Sequence, residues 1–331
     1  MVLMVSRTEE KPVAAWTGRD LMNNEIRKTL TIILKSGGCR WNRCRMCGYR
    51  FERYPAMNSD DLAYRMLSQV QWIENNYRSE EYDLVKIFSS GSIFDQDEVP
   101  AKVLKRLGTL FSGKIIVAET RPEFISGPVI REFLESIDTG EHEIPLYVAM
   151  GLETTDDQIR EKSIDKGFLF ADFIRASSTA RNEGAGVKAY LMMKPPFLTE
   201  REAIADMKTS IAGAAPYADL ISMNLCTVQK RTDLEYYWKR GGYRPPYLWS
   251  ALDVLLSTSH PVSCDPVGGG YARGPHNCGE CDATIKKAID EYSLSFDPAI
   301  LREAWEKECG CIEEWRYVLD YEMPWCMPLT R

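Results

Sequence analysis

Six short apolar runs alternate with helix-like segments through the first two thirds of the chain, and this alternation restricts the fold more than any other feature. The runs cover residues 27–35, 83–89, 114–119, 146–151, 187–193 and 219–225. Each has strand length and is rich in β-branched or large apolar side chains. Between them, apolar residues recur at helical spacing. Leu62, Met66, Leu67 and Val70 do so behind the N-cap pattern Asn58-Ser59-Asp60-Asp61. Further helices are expected near 99–110, 127–137, 156–162, 168–182 and 199–214. Strand–helix alternation of this kind favours a parallel sheet with right-handed crossovers. Residues 1–26 are polar and read as a lead-in, 27–230 as the α/β core, and 231–331 as an extension. That extension holds Trp-, Tyr- and Pro-rich turns, cysteine-bearing loops and a helical tail from about Asp297.

The first run leads directly into Cys39, Cys44 and Cys47, spaced C-x4-C-x2-C. Three thiolates hold three irons of a 4Fe–4S cube and leave the fourth iron open. S-adenosylmethionine (SAM) suits that vacancy, because its amino and carboxylate groups chelate one iron. One electron from the cluster then splits the sulfonium and yields a carbon radical. A structural zinc site is the competing reading, but it needs a fourth ligand nearby. The next cysteine is Cys226 and the first histidine is His142.

Composition narrows the classes. With 331 residues the chain can bury a large core, and no apolar run reaches membrane-span length. Ten cysteines without a signal-like N-terminus point to the cytoplasm and to metal or redox work. The 41 basic and 48 acidic residues give a net charge of −7, which argues against strong unaided binding to nucleic acid. Arg40, Arg43, Arg45, Arg50 and Arg53 nevertheless cluster in and after the cysteine loop. They meet phosphates in one reading and pair with local carboxylates in the other.

In α/β sheets, ligands gather at the carboxyl ends of the strands. The ends in this chain are polar. Ser90, Gly91 and Ser92 follow the second run, Glu119 and Arg121 the third, Glu153 the fourth, and Asn224 and Gln229 the sixth. With Met46, which precedes the last loop cysteine, they form the candidate SAM set. The plain alternative is a turn at Ser-Gly-Ser and solvated charges elsewhere. A second group, Cys264, His276, Cys278 and Cys281, carries a C-x2-C and is a candidate zinc site, with Cys309 and Cys311 further on. A second iron–sulfur cluster or metal-free thiols are the alternatives. Cys226 and Cys326 have no assigned role.

The three-cysteine loop on an α/β core resembles the radical SAM superfamily and its partial (β/α)6 barrel. Gly91-Ser92-Ile93-Phe94-Asp95, Glu119-Thr120-Arg121-Pro122-Glu123 and Gly151-Leu152-Glu153-Thr154-Thr155-Asp156-Asp157 resemble the branch that contains the Elongator catalytic subunit. Asn224-Leu225-Cys226-Thr227-Val228-Gln229, Tyr243-Arg244-Pro245-Pro246 and Pro275-His276-Asn277-Cys278 are similar to the radical SAM subunits of archaeosine synthases. The loop departs from the commoner C-x3-C-x2-C by one residue, and Met46 stands where an aromatic residue is frequent.

This resemblance implies a substrate and partners. The substrate is transfer RNA whose D-arm carries 7-cyano-7-deazaguanine already joined to lysine. The partners are the lysine-transferring alpha subunit and an electron donor, and the outcome is cleavage of the lysine carbon–nitrogen bond to leave archaeosine. The alternatives are another Elongator-like modification of transfer RNA, or a non-catalytic iron–sulfur or zinc scaffold for an RNA-binding partner.

Overall fold

A computed structural model of the chain describes residues 10–307 and 309–323. Eight strands form one sheet in the order in which they occur along the chain. They are β1 (Ala14–Met22), β2 (Glu25–Ile33), β3 (Leu84–Phe88), β4 (Ile115–Thr120), β5 (Leu146–Glu153), β6 (Gly186–Met193), β7 (Leu220–Leu225) and β8 (Val262–Asp265). The β1–β2 pair is antiparallel, and every later pair is parallel. Five crossovers carry α1 (Ser59–Asn76), α2 (Ala101–Leu110), α3 (Gly127–Ile137), α4 (Phe170–Asn182) and α5 (Glu200–Ala214). Between β7 and β8 lie α6 (Asp233–Lys239) and α7 (Leu248–Ser257), and the tail is α8 (Asp282–Ser293), α9 (Pro298–Glu306) and α10 (Cys311–Tyr321).

The helices begin where their capping residues stand. Asn58 accepts the amide proton of Asp61 at 2.8 Å to start α1, and Thr199 forms a reciprocal capping box with Glu202 at the head of α5. The two faces of the sheet then separate by strand alternation. Ile32, Ile87, Ala118, Val148, Ala189 and Met223 face the helices and are part of the large core. Met22, Leu84, Val117, Tyr147 and Ala149 pack together on the opposite, concave face. β1 and β8 are the two edges, so the curled sheet is a half-barrel with one open side.

All six strands expected from the sequence are present within two residues of their reading at either end. Two more join them. β1 lies in the polar lead-in, where Trp16-Thr17-Gly18-Arg19-Asp20 lacks the apolar content of a central strand because it is an edge. Asn23 and Asn24, both with positive φ, make its two-residue turn into β2. β8 has only four residues, too few to show a period, and carries the sheet past residue 230. The helix expected at 156–162 is instead a π-helical turn, Ile159–Ile164, ended by Asp165 in the left-handed region at φ 60°. Cys326 lies outside the described residues.

Candidate functional site

The cysteine loop folds back over the carboxyl ends of β2 to β7, and the segment after β5 holds it there. The Trp41 indole nitrogen donates to the Asp165 carbonyl at 2.6 Å, and the Arg45 amide donates to the Ile164 carbonyl at 2.9 Å. Trp41 lies so close to Gly167 that a Cβ there would meet the indole at 2.2 Å, and Gly167 also has a φ of 77°. Only glycine fits that position. On the far side, the Gln229 side-chain oxygen accepts the amide proton of Gly48. Gly91 backs onto the loop as well, since a Cβ on it would fall 2.6 Å from the Cys39 sulfur.

Behind the thiols lies a buried group of mixed charge. Lys166 pairs with Glu153 at 2.6 Å, both largely buried. Glu153 ends β5 at a register shift with φ 66°, a strained conformation for a non-glycine residue that turns its carboxylate toward Lys166. Burial pulls the Lys166 ammonium down, but the charges of Glu153 and Cys44 outweigh it and the net shift is upward. Burial pushes the Cys44 thiol up to about 11, with Lys166 and Arg121 opposing. Glu119, on the concave face at the end of β4, is pushed up to about 8 by burial, against the pull of Lys166 and of the Ser89 amide.

The remaining sequence candidates divide. Asn224 sits on β7 at the register of Met192 and Asp265 and is partly exposed to the concave face. Ser90 is in the turn after β3, but the amides of Gly91 and Ser92 are not free for a ligand. Both donate to the buried Glu98 carboxylate at 2.9 Å, and the Ser92 hydroxyl pairs with Thr120 at 2.5 Å. Arg121 pairs with Glu123 rather than with Glu119 or Glu153, and it reaches the Lys166 carbonyl at 3.0 Å. Met46, 5% exposed, packs with Cys44, Ile164 and Cys226 in a small core behind the loop. Gln229 acts on the loop backbone, as above. Lys166 was missed by the sequence reading. It follows a π-helical turn, where no periodic signal marks it.

Of the loop arginines, Arg40 pairs with Asp95 and Asp97, Arg43 with Asp165, and Arg45 with Asp233. Local pairing thus accounts for these three. Arg50 and Arg53 border an open hollow with Asn42, Phe51, Tyr54 and Pro55.

The second cysteine group is corrected by the structure. Cys278, Cys281, Cys309 and Cys311 bring their sulfurs within 4.8 Å of one another. The sulfurs of Cys278 and Cys281 are 3.9 Å apart, Cys278 and Cys309 3.6 Å, and Cys281 and Cys311 3.6 Å. Cys264 is not among them. It lies on β8, 2% exposed in the helix-facing core, where its amide donates to the Ser293 hydroxyl oxygen at 2.9 Å. The His276 ring nitrogen Nδ1 contacts the Gly274 carbonyl at 2.8 Å, and His276 is likewise outside the group. The Trp249 indole and the Asn277 amide donate to the Cys311 and Cys281 sulfurs at 3.2 and 3.3 Å. These donors oppose the burial that pushes the Cys281 thiol up to about 11 and raises the Cys311 thiol as well.

Cys47 of the loop lies near enough to both Cys44 and Cys39 to feel their charge. Three thiols on one loop are a soft donor set of the kind that holds iron in a cluster.

A curled, largely parallel α/β half-barrel with such a loop over its strand ends has the build of a radical SAM enzyme. No family model matches the chain. The archaeosine synthase subunit beta of Methanosarcina acetivorans is 42% identical, with 94% of this chain and 91% of that protein covered. The archaeosine synthase subunit beta of Thermococcus kodakarensis is 34% identical, covering 92% of this chain and 96% of that protein. A solved structure of Methanocaldococcus infernus Elp3 covers 70% of this chain and 59% of its own, with a TM-score of 0.47 and 16% identity. The chain belongs to the archaeosine synthase subunit beta family.

The raised Glu119 generates a pH prediction. Its ordinary value of 4.5 moves to about 8 in the fold, so the folded protein holds the proton more tightly than the unfolded chain. The stabilisation from that proton is complete below 4.5 and is lost as pH rises through 8. Glu119→Gln removes the loss. Thermal unfolding of the metal-free protein is expected to show the variant a few degrees more stable at pH 8 and nearly equal to the native protein below pH 4.5. An equal shift at both ends means that the residue acts through packing alone.

Proposed function

We propose that this chain is the radical subunit that completes archaeosine in transfer RNA. It acts on the D-arm base to which a partner alpha subunit has joined lysine, and it breaks the lysine carbon–nitrogen bond to leave the amidine. The observation that carries the proposal is the three-cysteine loop clamped over the buried Glu119, Glu153 and Lys166, in a chain that shares 42% identity with an archaeosine synthase subunit beta.

Cys39, Cys44 and Cys47 hold a 4Fe–4S cluster in this reading. With SAM bound, that cluster supplies the one-electron cleavage that generates a hydrogen-abstracting carbon radical. The protein's own residues hold and shield. Ser90, Glu119, Glu153 and Asn224 offer polar groups around the strand ends. Lys166 balances the carboxylates next to Cys44, and Gln229, Trp41 and Gly167 fix the loop. The Arg50–Arg53 hollow supplies a basic edge for RNA phosphate. The chain's net charge of −7 fits a division of labour in which the partner contributes much of the RNA affinity.

Reconstituted protein with dithionite, SAM and lysine-adducted transfer RNA is expected to yield archaeosine together with 5′-deoxyadenosine. Both fall to background in the Cys39/Cys44/Cys47→Ala variant. Formation of 5′-deoxyadenosine with an unaltered base removes this substrate, and formation of neither removes the enzyme.

The C-terminal cysteines hold zinc in this account. Zinc–sulfur bonds of about 2.3 Å in a tetrahedron place sulfurs about 3.8 Å apart. The observed 3.6, 3.6 and 3.9 Å bracket that value. A single ion there ties the loop before α8 to the start of α10. One equivalent of zinc is expected to persist in the Cys39/Cys44/Cys47→Ala variant and to be lost, with a drop in melting temperature, on Cys278→Ser/Cys309→Ser. Iron, or no metal, in the loop-cysteine variant contradicts this.

A further inference from the structure

The concave face of the half-barrel carries a second polar layer that the cluster site does not use. Asp20 lies two residues before Met22 on β1, Lys86 two after Leu84 on β3, and Lys188 two before Tyr190 on β6. Met22, Leu84 and Tyr190 all belong to the concave packing, so strand alternation puts the three charged residues on that face. Asp265 ends β8 opposite Asn224, four residues past the concave Leu220, and is exposed at the open edge. Four charges, two of each sign, thus come from four strands to one interior.

Only two of them are matched. Lys86 pairs with Asp20 at 2.8 Å. Lys188 is 8% exposed, yet among the described residues its ammonium meets only the Tyr190 ring, 4.9 Å from the centroid. Burial, with Lys86 and against Asp20 and Asp265, draws it down to about 8. The Asp265 carboxylate, exposed at the open edge, has no hydrogen-bond or ion-pair partner among the described residues, and the charges of Lys86 and Lys188 reach it. Keeping an unmatched ammonium in such a place is costly, and folding gains nothing from it. A ligand that carries a carboxylate and an ammonium together satisfies both. Phe88 and Tyr190, whose rings approach to 6.2 Å across the barrel, give an aromatic wall beside this layer that suits an aliphatic chain.

We propose that Lys188 and Asp265 bind the free α-amino-acid end of the substrate's lysyl chain, Lys188 taking the carboxylate and Asp265 the ammonium. The inference rests on the lysine-adduct reading of function. It makes the two residues determinants of specificity, remote from the bond that breaks.

Two measurements test it separately. The first is calorimetric binding to SAM-loaded protein of Nε-acetyllysine, which leaves free the α-amino-acid end that the site is proposed to hold. The second is turnover of transfer RNA adducted with lysine or with 1,5-diaminopentane, which lacks the carboxylate. Lys188→Met is expected to weaken Nε-acetyllysine binding and raise KM for the lysine adduct about tenfold or more. It is expected to leave kcat and the diaminopentane adduct unchanged, with partial recovery in Lys188→Arg. Asp265→Asn is expected to affect both adducts modestly. Equal loss on both adducts in Lys188→Met, or no loss on either, overturns the site. Lysine-dependent binding through Lys188 by a protein that leaves the adducted transfer RNA unaltered keeps the site and overturns the functional reading instead.

Discussion

The pair between Lys166 and Glu153, 2.6 Å long and nearly withdrawn from water, organises the end of the barrel where the cysteines sit. Neither charge is tolerable alone at that depth, because an unpaired buried ion costs far more than the pair returns. The pair therefore fixes two backbone segments at once. One is the strained end of β5, which presents Glu153 at φ 66°, and the other is the turn that presents Lys166 between Asp165 and Gly167. That turn in turn receives Trp41 and Arg45 from the cysteine loop. A loop of polar and thiol side chains has little apolar area to hold it, and here an ion pair and a few directed hydrogen bonds supply the order.

The half-barrel explains why such a site stands open on one side. Parallel strands covered by helices on the outer face build a dense apolar core, while the unpaired edges β1 and β8 leave the concave face accessible. Apolar residues and charged residues from four strands share that face, and Glu119 stands near its strand end beneath the cysteine loop. The C-terminal cysteines work at a different level. They tie α8 and α10 together beside α7, far in sequence from the loop that shares their chemistry, and shape the helical wall rather than the pocket.

The legible parts of this architecture were those with a period or a fixed spacing. The six central strands alternate with helices whose caps, Asn58 and Thr199, are visible as residue types. β1 escaped because an edge strand that is exposed along much of its length has polar residues where a central strand has apolar ones. The cysteine loop was plain from its spacing, but its partner Lys166 was not, since an irregular turn brings it back to the side of Cys44, 122 residues earlier in the chain. Ser-Gly-Ser stands at a strand end, as its place after the second run suggests, but the Gly91 and Ser92 amides are already engaged. A buried Glu98, seven and six residues on, had already taken them. For the second cysteine group, nearness in sequence favoured Cys264 and His276. Strand alternation turned Cys264 into the core, and the folding of α9 and α10 onto α8 brought Cys309 and Cys311 in its place.

The central claim is that Cys39, Cys44 and Cys47 hold a cluster with one iron left open to SAM. Electron paramagnetic resonance of the anaerobically reduced protein, recorded before and after SAM is added, tests it most directly. A reduced-cluster signal that changes on addition of SAM, and is absent from the variant lacking those three cysteines, is the expected result. A signal indifferent to SAM, or one that survives without those cysteines, contradicts the claim.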